Sequence, residues 1–148
     1  MSCILRVSGG QLDVDALLAS VRLTPDHVWH RGEPRFRSKP NGKCHESSGV
    51  TFLASDAGFG DFDMQVEEAT KFLEDHGTQI AGIVTFKDVE AATLDFGIEL
   101  RDVMIHSDVL APRFLRAAAL AGVAVELSHY PCNDEEKLSE QGADGTPR

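Results

Sequence analysis

The stretch that decides the fold is Thr93-Leu94-Asp95-Phe96-Gly97-Ile98-Glu99-Leu100. Large apolar side chains at every second position alternate here with small or polar ones, which predicts a strand with one buried and one wet face. Sheets with an open face are antiparallel or mixed, whereas helices cover both faces of all-parallel sheets. The stretch therefore predicts an α+β sandwich with a mixed or antiparallel sheet.

Short apolar runs predict the rest of the sheet. Strands are expected over residues 3–7, 50–54, 80–86 and 123–127, each bounded by turn-forming or polar residues. Residues 28–30 fit a few residues of edge strand before a long loop punctuated by glycine and proline.

Three helices are expected between these strands. The first follows the cap residue Asp13, and the second follows Asp61 and ends with Gly77 just beyond its last turn. The third covers residues 112–121 and ends at Gly122. The predicted order is β-α-β-α-β-β-α-β, with the helices packed mainly on one face, and a ferredoxin-like core with an added helix fits it.

Length and composition favour one domain. The chain has 148 residues, of which 42% are hydrophobic, and two independent domains of half that length would each be marginal. We expect the domain to span residues 1–131, followed by an acidic, flexible tail over 132–148.

Charge and cysteine content limit the class of protein. A net charge of −10 disfavours general binding to nucleic acid or to anionic membranes. No run approaches the ~18 apolar residues of a membrane span. The three cysteines, Cys3, Cys44 and Cys132, are widely spaced, which predicts reduced thiols and a cytoplasmic location.

The common catalytic motifs are missing. The sequence contains no P-loop, no GxSxG, no HExxH and no CxxC. Gly58-Phe59-Gly60 lacks the third glycine of a dinucleotide fingerprint and is interpreted as a turn. No catalytic residue, metal site or cofactor is predicted.

One segment is basic in an otherwise acidic chain. Residues 22–43 hold six Lys or Arg and two acids, and the only Trp lies among them. Arginine forks bind carboxylate or phosphate, and Trp supplies contact area. The candidate ligand- or partner-binding residues are Trp29, His30, Arg31, Arg35, Phe36 and Arg37. In the alternative interpretation, Trp29 and Phe36 fold the loop onto the core while the arginines neutralise nearby acidic helices.

Other titratable residues give weaker support for a metal site or for a catalytic site. His27 and His30 point to opposite sides of an extended segment, so they do not suit a metal. Cys44 with His45 lacks a third, orienting group for nucleophilic catalysis. The glutamates of the second helix, Glu67 and Glu68 among them, are interpreted as a solvated face.

Several short patterns resemble those of a small bacterial family described as domain of unknown function 4279. They are Leu-Arg-Val-Ser-Gly at 5–9, the apolar helix pattern at 12–18, the segment 23–34 containing Val-Trp-His-Arg-Gly-Glu-Pro, and the closing helix and strand over 110–130. The resemblance implies a small cytoplasmic α+β protein without an assigned reaction, so it transfers no catalytic residue. The chain departs from the pattern at 49–52, where members often carry Trp.

Two functions are compatible with these observations. The first is a non-enzymatic binding or interaction module, including an immunity-type protein whose acidic surface meets a basic partner. The alternative is a small hydrolase or transferase that binds an anionic substrate through residues 31–43, with His30 or His45 as base. A protein partner, a small anionic ligand and a homodimer formed through a sheet edge all fit the sequence. A pocket where Arg and His converge would favour the enzyme.

Overall fold

The computed structural model describes residues 2–131. The elements follow one another as β1 (Cys3–Gly9), α1 (Val14–Ala19), β2 (His27–Trp29), β3 (Ser48–Ser55), α2 (Phe62–Val84), β4 (Ala91–Leu100), α3 (Pro112–Ala121) and β5 (Ala124–Pro131). The predicted tail over 132–148 lies outside the described residues.

The five strands form one mixed sheet in the order β2-β3-β1-β4-β5. Neighbouring strands among β2, β3, β1 and β4 pair antiparallel, and β5 pairs with β4 in parallel. This confirms the predicted α+β fold with a mixed sheet. The elements from β1 to β4 have the order of a ferredoxin-like core, to which α3 and β5 add one further strand through a helical crossover.

All three helices pack on one face of the sheet, as predicted. Burial alternates along β1, where Cys3, Leu5 and Val7 are fully buried. The Phe96 ring on β4 lies 5.6 Å, between ring centroids, from Phe62 of α2 and also from Phe114 of α3. Val14 and Leu17 complete this core from α1. The opposite face of the sheet is therefore left open.

The strand predicted over residues 80–86 is wrong, because α2 continues through Gly77 to Val84. Ile80 and Ile83 are both buried, and they continue the buried helical face of Leu73 for nearly three more turns. An internal glycine costs a helix about 1 kcal/mol, whereas burying one Ile contributes about 1.5–3 kcal/mol. The observed order is β-α-β-β-α-β-α-β. The additional strand is β2, which lies before β3, and the chain passes from α2 directly to β4.

The predicted helix ends are otherwise confirmed. The side chains of Asp13 and Asp61 accept hydrogen bonds from the backbone N–H groups of Ala16 and Met64, respectively. Gly122 ends α3 with a left-handed φ of 76°, a conformation that glycine adopts without strain. None of the helices in residues 2–131 is both long enough and apolar enough to cross a bilayer.

Candidate ligand-binding site

The candidate site begins with the fold of residues 31–43, called here the basic loop. The N–H of Arg35 donates to the Lys43 carbonyl at 3.0 Å, and the N–H of His45 donates to the Glu33 carbonyl at 2.8 Å. These bonds flank a β-bridge between Pro34 and Cys44. The base of the loop is therefore a paired, hairpin-like structure between β2 and β3.

A cavity of about 290 Å³ lies between the base of this loop and β2. We call it the basic pocket. The side chains that give it chemical character are His27, Trp29, Glu33, Arg35, Arg37 and His45. Three of the six residues predicted from the sequence, Trp29, Arg35 and Arg37, thus lie together.

Both pocket arginines lack a carboxylate partner within residues 2–131. Arg6, Arg101 and Arg113 form salt bridges to acidic side chains at 2.7–3.2 Å. Arg35, by contrast, donates from Nε to the Cys44 carbonyl at 3.3 Å. The interpretation that these arginines neutralise the acidic helices is therefore not supported in the described part of the chain. Their charge is directed to the pocket instead.

Trp29 forms a wall of the pocket within a row of three rings. Its ring centroid lies 5.9 Å from that of His27, in a stacked arrangement, and 5.9 Å from that of His45. The indole also packs on Gly49 of β3, where a side chain would overlap it. Trp29 thus fastens β2 to the sheet and presents an aromatic surface beside two arginines, an arrangement that suits an anion attached to a flat group.

The other three predicted residues lie elsewhere. His30 Nε2 is 3.1 Å from Asp15 Oδ2 of α1, and this hydrogen bond is the main reason that the pKa of His30 is raised. Arg31 donates from Nη1 to the Gly10 carbonyl at 3.2 Å. Phe36 is 66% exposed near the tip of the loop. His30 and Arg31 therefore anchor the loop to α1 and to the end of β1.

Groups for covalent or metal chemistry are not assembled around the basic pocket. Cys44 Sγ has one polar contact within residues 2–131, the Gly42 carbonyl at 3.9 Å. His45 is in ring contact with Trp29, and in the described part of the chain it has no carboxylate to orient it. The same residues contain no group of three side chains placed to bind a metal. Charge and aromatic contact are what the pocket offers.

Sequence reasoning missed Glu33 and gave His27 no role in ligand binding. No local pattern in the sequence marks Glu33. Its place in the pocket depends on the pairing of Pro34 with Cys44, which is seen only in the structure. His27 follows from β2 itself, because His27 and Trp29 are two residues apart on a strand and so share a face.

Comparison with family models, with curated proteins and with solved structures finds no match to this chain.

Proposed function

We propose that the protein is a non-enzymatic binding module that holds a small anionic ligand, a carboxylate or a phosphate, in the basic pocket. The observation that carries the proposal is the placement of Arg35 and Arg37, neither with a carboxylate partner in residues 2–131, beside Trp29 in one cavity. A cation left unpaired in a chain of net charge −10 supports recognition of an anion. The resemblance to the family of unknown function is part of this proposal; that family has no assigned reaction.

A protein partner at the acidic face of α2 is less well supported. Arg113 binds Glu74 at 2.7 Å and Glu67 at 3.2 Å, and its hydrogen bond lowers the pKa of Glu74. Glu68 accepts a hydrogen bond from the Ser55 hydroxyl at 2.6 Å. These glutamates already have partners within the chain, so they present less charge to a basic protein.

One observation favours the enzyme as a second candidate. Arg35, Arg37 and His45 converge on the same cavity, which is the arrangement expected of a hydrolase or transferase with His45 as base. His30 is not the base of this pocket because it does not line the cavity; its ring is bound to Asp15 of α1 instead. Turnover of p-nitrophenyl phosphate that is lost in His45→Gln but retained in His76→Gln would establish this candidate.

Fluorescence of Trp29, the only Trp, tests the binding proposal directly. Titration with inorganic phosphate and with butyl phosphate at low ionic strength should change its emission. Arg37→Ala should weaken binding about 10- to 100-fold, as loss of a charged hydrogen bond does. Arg116→Ala is the matched control, because it removes the same charge from an exposed position on α3.

Equal affinities of Arg37→Ala and the wild-type protein would contradict the proposal. Equal weakening in Arg37→Ala and Arg116→Ala would contradict it as well, since the effect would then come from net charge alone. Arg35→Lys adds a geometric test, because Lys keeps the charge but loses the planar fork.

A further inference from the structure

We propose that the ligand of the basic pocket carries an uncharged, ring-bearing tail that lies in a second cavity on the open face of the sheet. This inference rests on the proposed function, because the anionic head must first bind beside Arg35 and Arg37. It adds the chemical class of the whole ligand: an aryl-bearing phosphate or carboxylate.

The second cavity, called here the sheet cleft, has a volume of about 360 Å³. Ile4 and Gly97 lie in its lining, as do Phe59, Tyr130 and His27. His27 also lines the basic pocket. The two cavities therefore border the same imidazole, and the proposal places one elongated molecule across it with an end in each cavity.

The far wall of the cleft is aromatic. Phe59 and Tyr130 lie 5.7 Å apart between ring centroids, with their planes tilted by 55°. Phe59 is 43% exposed and Tyr130 is 51% exposed, so the pair presents ring surface to solvent on the open sheet. A third ring placed between this pair and His27 would cover apolar surface and make aromatic contacts at both ends.

Phe59 is held in place by the shape of the sheet. A Cβ at Gly97 would lie 2.5 Å from Cε1 of Phe59, so the ring rests directly on the β4 backbone. The N–H of Glu99 also donates to the Phe59 carbonyl at 3.1 Å. Phe59 is thus held in position before any ligand arrives, which limits the entropy lost on binding.

Charge fixes which end of the ligand lies in which cavity. Two carboxylates, Asp26 and Asp95, line the sheet cleft. Asp95 is 3.2 Å from Arg6, which also binds Glu126 at 2.8 Å, and it accepts a hydrogen bond from Ser128 at 2.7 Å. Asp26 is exposed and accepts a longer bond from Thr51 at 3.4 Å. The basic pocket holds two arginines against one carboxylate, Glu33, whereas the cleft is lined by two carboxylates and by no Lys or Arg of residues 2–131. An anionic head therefore favours the basic pocket, and the uncharged tail is the end that suits the cleft.

Three probes separate the two parts of the ligand: inorganic phosphate, butyl phosphate and 4-phenylbutyl phosphate, each titrated by Trp29 fluorescence. We expect 4-phenylbutyl phosphate to bind at least tenfold more tightly than butyl phosphate, a difference of about 1.4 kcal/mol. Phe59→Ala and Tyr130→Ala should abolish that difference and leave the affinity for butyl phosphate unchanged. Phe36→Ala, which removes an exposed ring outside both cavities, should retain it.

The outcomes distinguish this inference from the proposed function. If butyl phosphate binds through Arg37 but the phenyl group adds nothing, or adds the same in Phe59→Ala and Tyr130→Ala, the tail does not occupy the cleft and only this inference falls. If neither phosphate nor butyl phosphate binds, both proposals fall. Tighter binding of 4-phenylbutylammonium than of 4-phenylbutyl phosphate would also overturn the inference, because the carboxylates would then select the ligand. Circular dichroism of each variant confirms its fold, and Phe59→Leu provides a second test that keeps the bulk but not the ring.

Discussion

Trp29 packs its indole against the backbone of Gly49, the residue with which it pairs across β2 and β3. A Cβ at position 49 would overlap the ring and lie 2.5 Å from the Val7 carbonyl oxygen. Phe59 covers Gly97 of β4 in the same way. Rings that cover strand glycines protect an otherwise bare backbone. Each aromatic wall of the open face therefore depends on the absence of a side chain beneath it.

Gly49→Ala should destabilise the protein by about 1–3 kcal/mol, the usual effect of overpacking a filled site. Denaturant unfolding measures the loss, and the Trp29 emission of the native state should shift as the ring moves. Gly58→Ala is the control, because nothing lies within 4 Å of a Cβ at that position. Similar stabilities of the two variants would show that the ring does not rest on Gly49.

Gly82→Ala should stabilise the protein by about 0.5–1 kcal/mol, since the residue lies inside α2 with open space around its Cβ. Gly122→Ala should do the opposite, because φ is 76° there and alanine is strained in that conformation. Thermal unfolding of Gly82→Ala tests where α2 ends, and thermal unfolding of Gly122→Ala tests the end of α3. A lower melting temperature for Gly82→Ala would argue against a helix through residues 77–84.

His30 should contribute to stability in acid and lose that contribution as the pH rises. Asp15 raises the pKa of His30 in the folded protein, so the protonated ring favours folding below the ordinary His pKa of about 6.5. The benefit is lost as the pH rises through the higher folded-state pKa. Asp15→Asn should therefore destabilise the protein at pH 5 and have little effect well above the folded-state pKa.

Imidazole NMR titration measures the same effect directly. Asp15→Asn should lower the pKa of His30. Glu46→Gln is the control, because it removes the charge of an exposed carboxylate that does not contact His30, and it should change the pKa less. An unchanged His30 pKa in Asp15→Asn would rule out the hydrogen bond as its cause.

The cysteines should differ sharply in reactivity. Cys3 is fully buried, and burial raises the pKa of its thiol, whereas Cys44 is exposed. The thiolate is the reactive form. In a Cys132→Ser background, a maleimide should modify Cys44 quickly and Cys3 only after unfolding. Modification of two thiols in the native protein would contradict the burial of β1.

The sequence predicted those parts of the fold whose signals are local. The alternation from Leu94 to Ile98, the caps Asp13 and Asp61, and the helix end at Gly122 each depend on a few neighbouring residues, and each is confirmed. Leu100, expected on the buried face, is 55% exposed at the end of β4. Residues 80–86 were wrongly predicted as a strand because their apolar side chains fit both the strand period of 2 and the helix period of 3.6. Only the core that receives Ile80 and Ile83 decides between them.

The candidate site was predictable in composition but not in arrangement. The excess of Arg beside the only Trp marked the basic loop, yet which arginines face the pocket depends on the register set by Pro34 and Cys44. Arg35 and Arg37 are on the pocket side, and Arg31 is not. The sheet cleft left no local signal, because Ile4, Phe59 and Tyr130 come from distant parts of the chain.

The parallel addition of β5 has a consequence for what a bound ligand would connect. Within residues 2–131, β5 pairs only with β4 and β2 pairs only with β3, so Tyr130 and Trp29 lie on opposite margins of the sheet. Trp29 is held through Gly49 of β3, and the strand that carries Tyr130 is held through β4. A ligand that touches both rings would therefore link the two outermost strands of the sheet, which the backbone pairing described above does not connect directly.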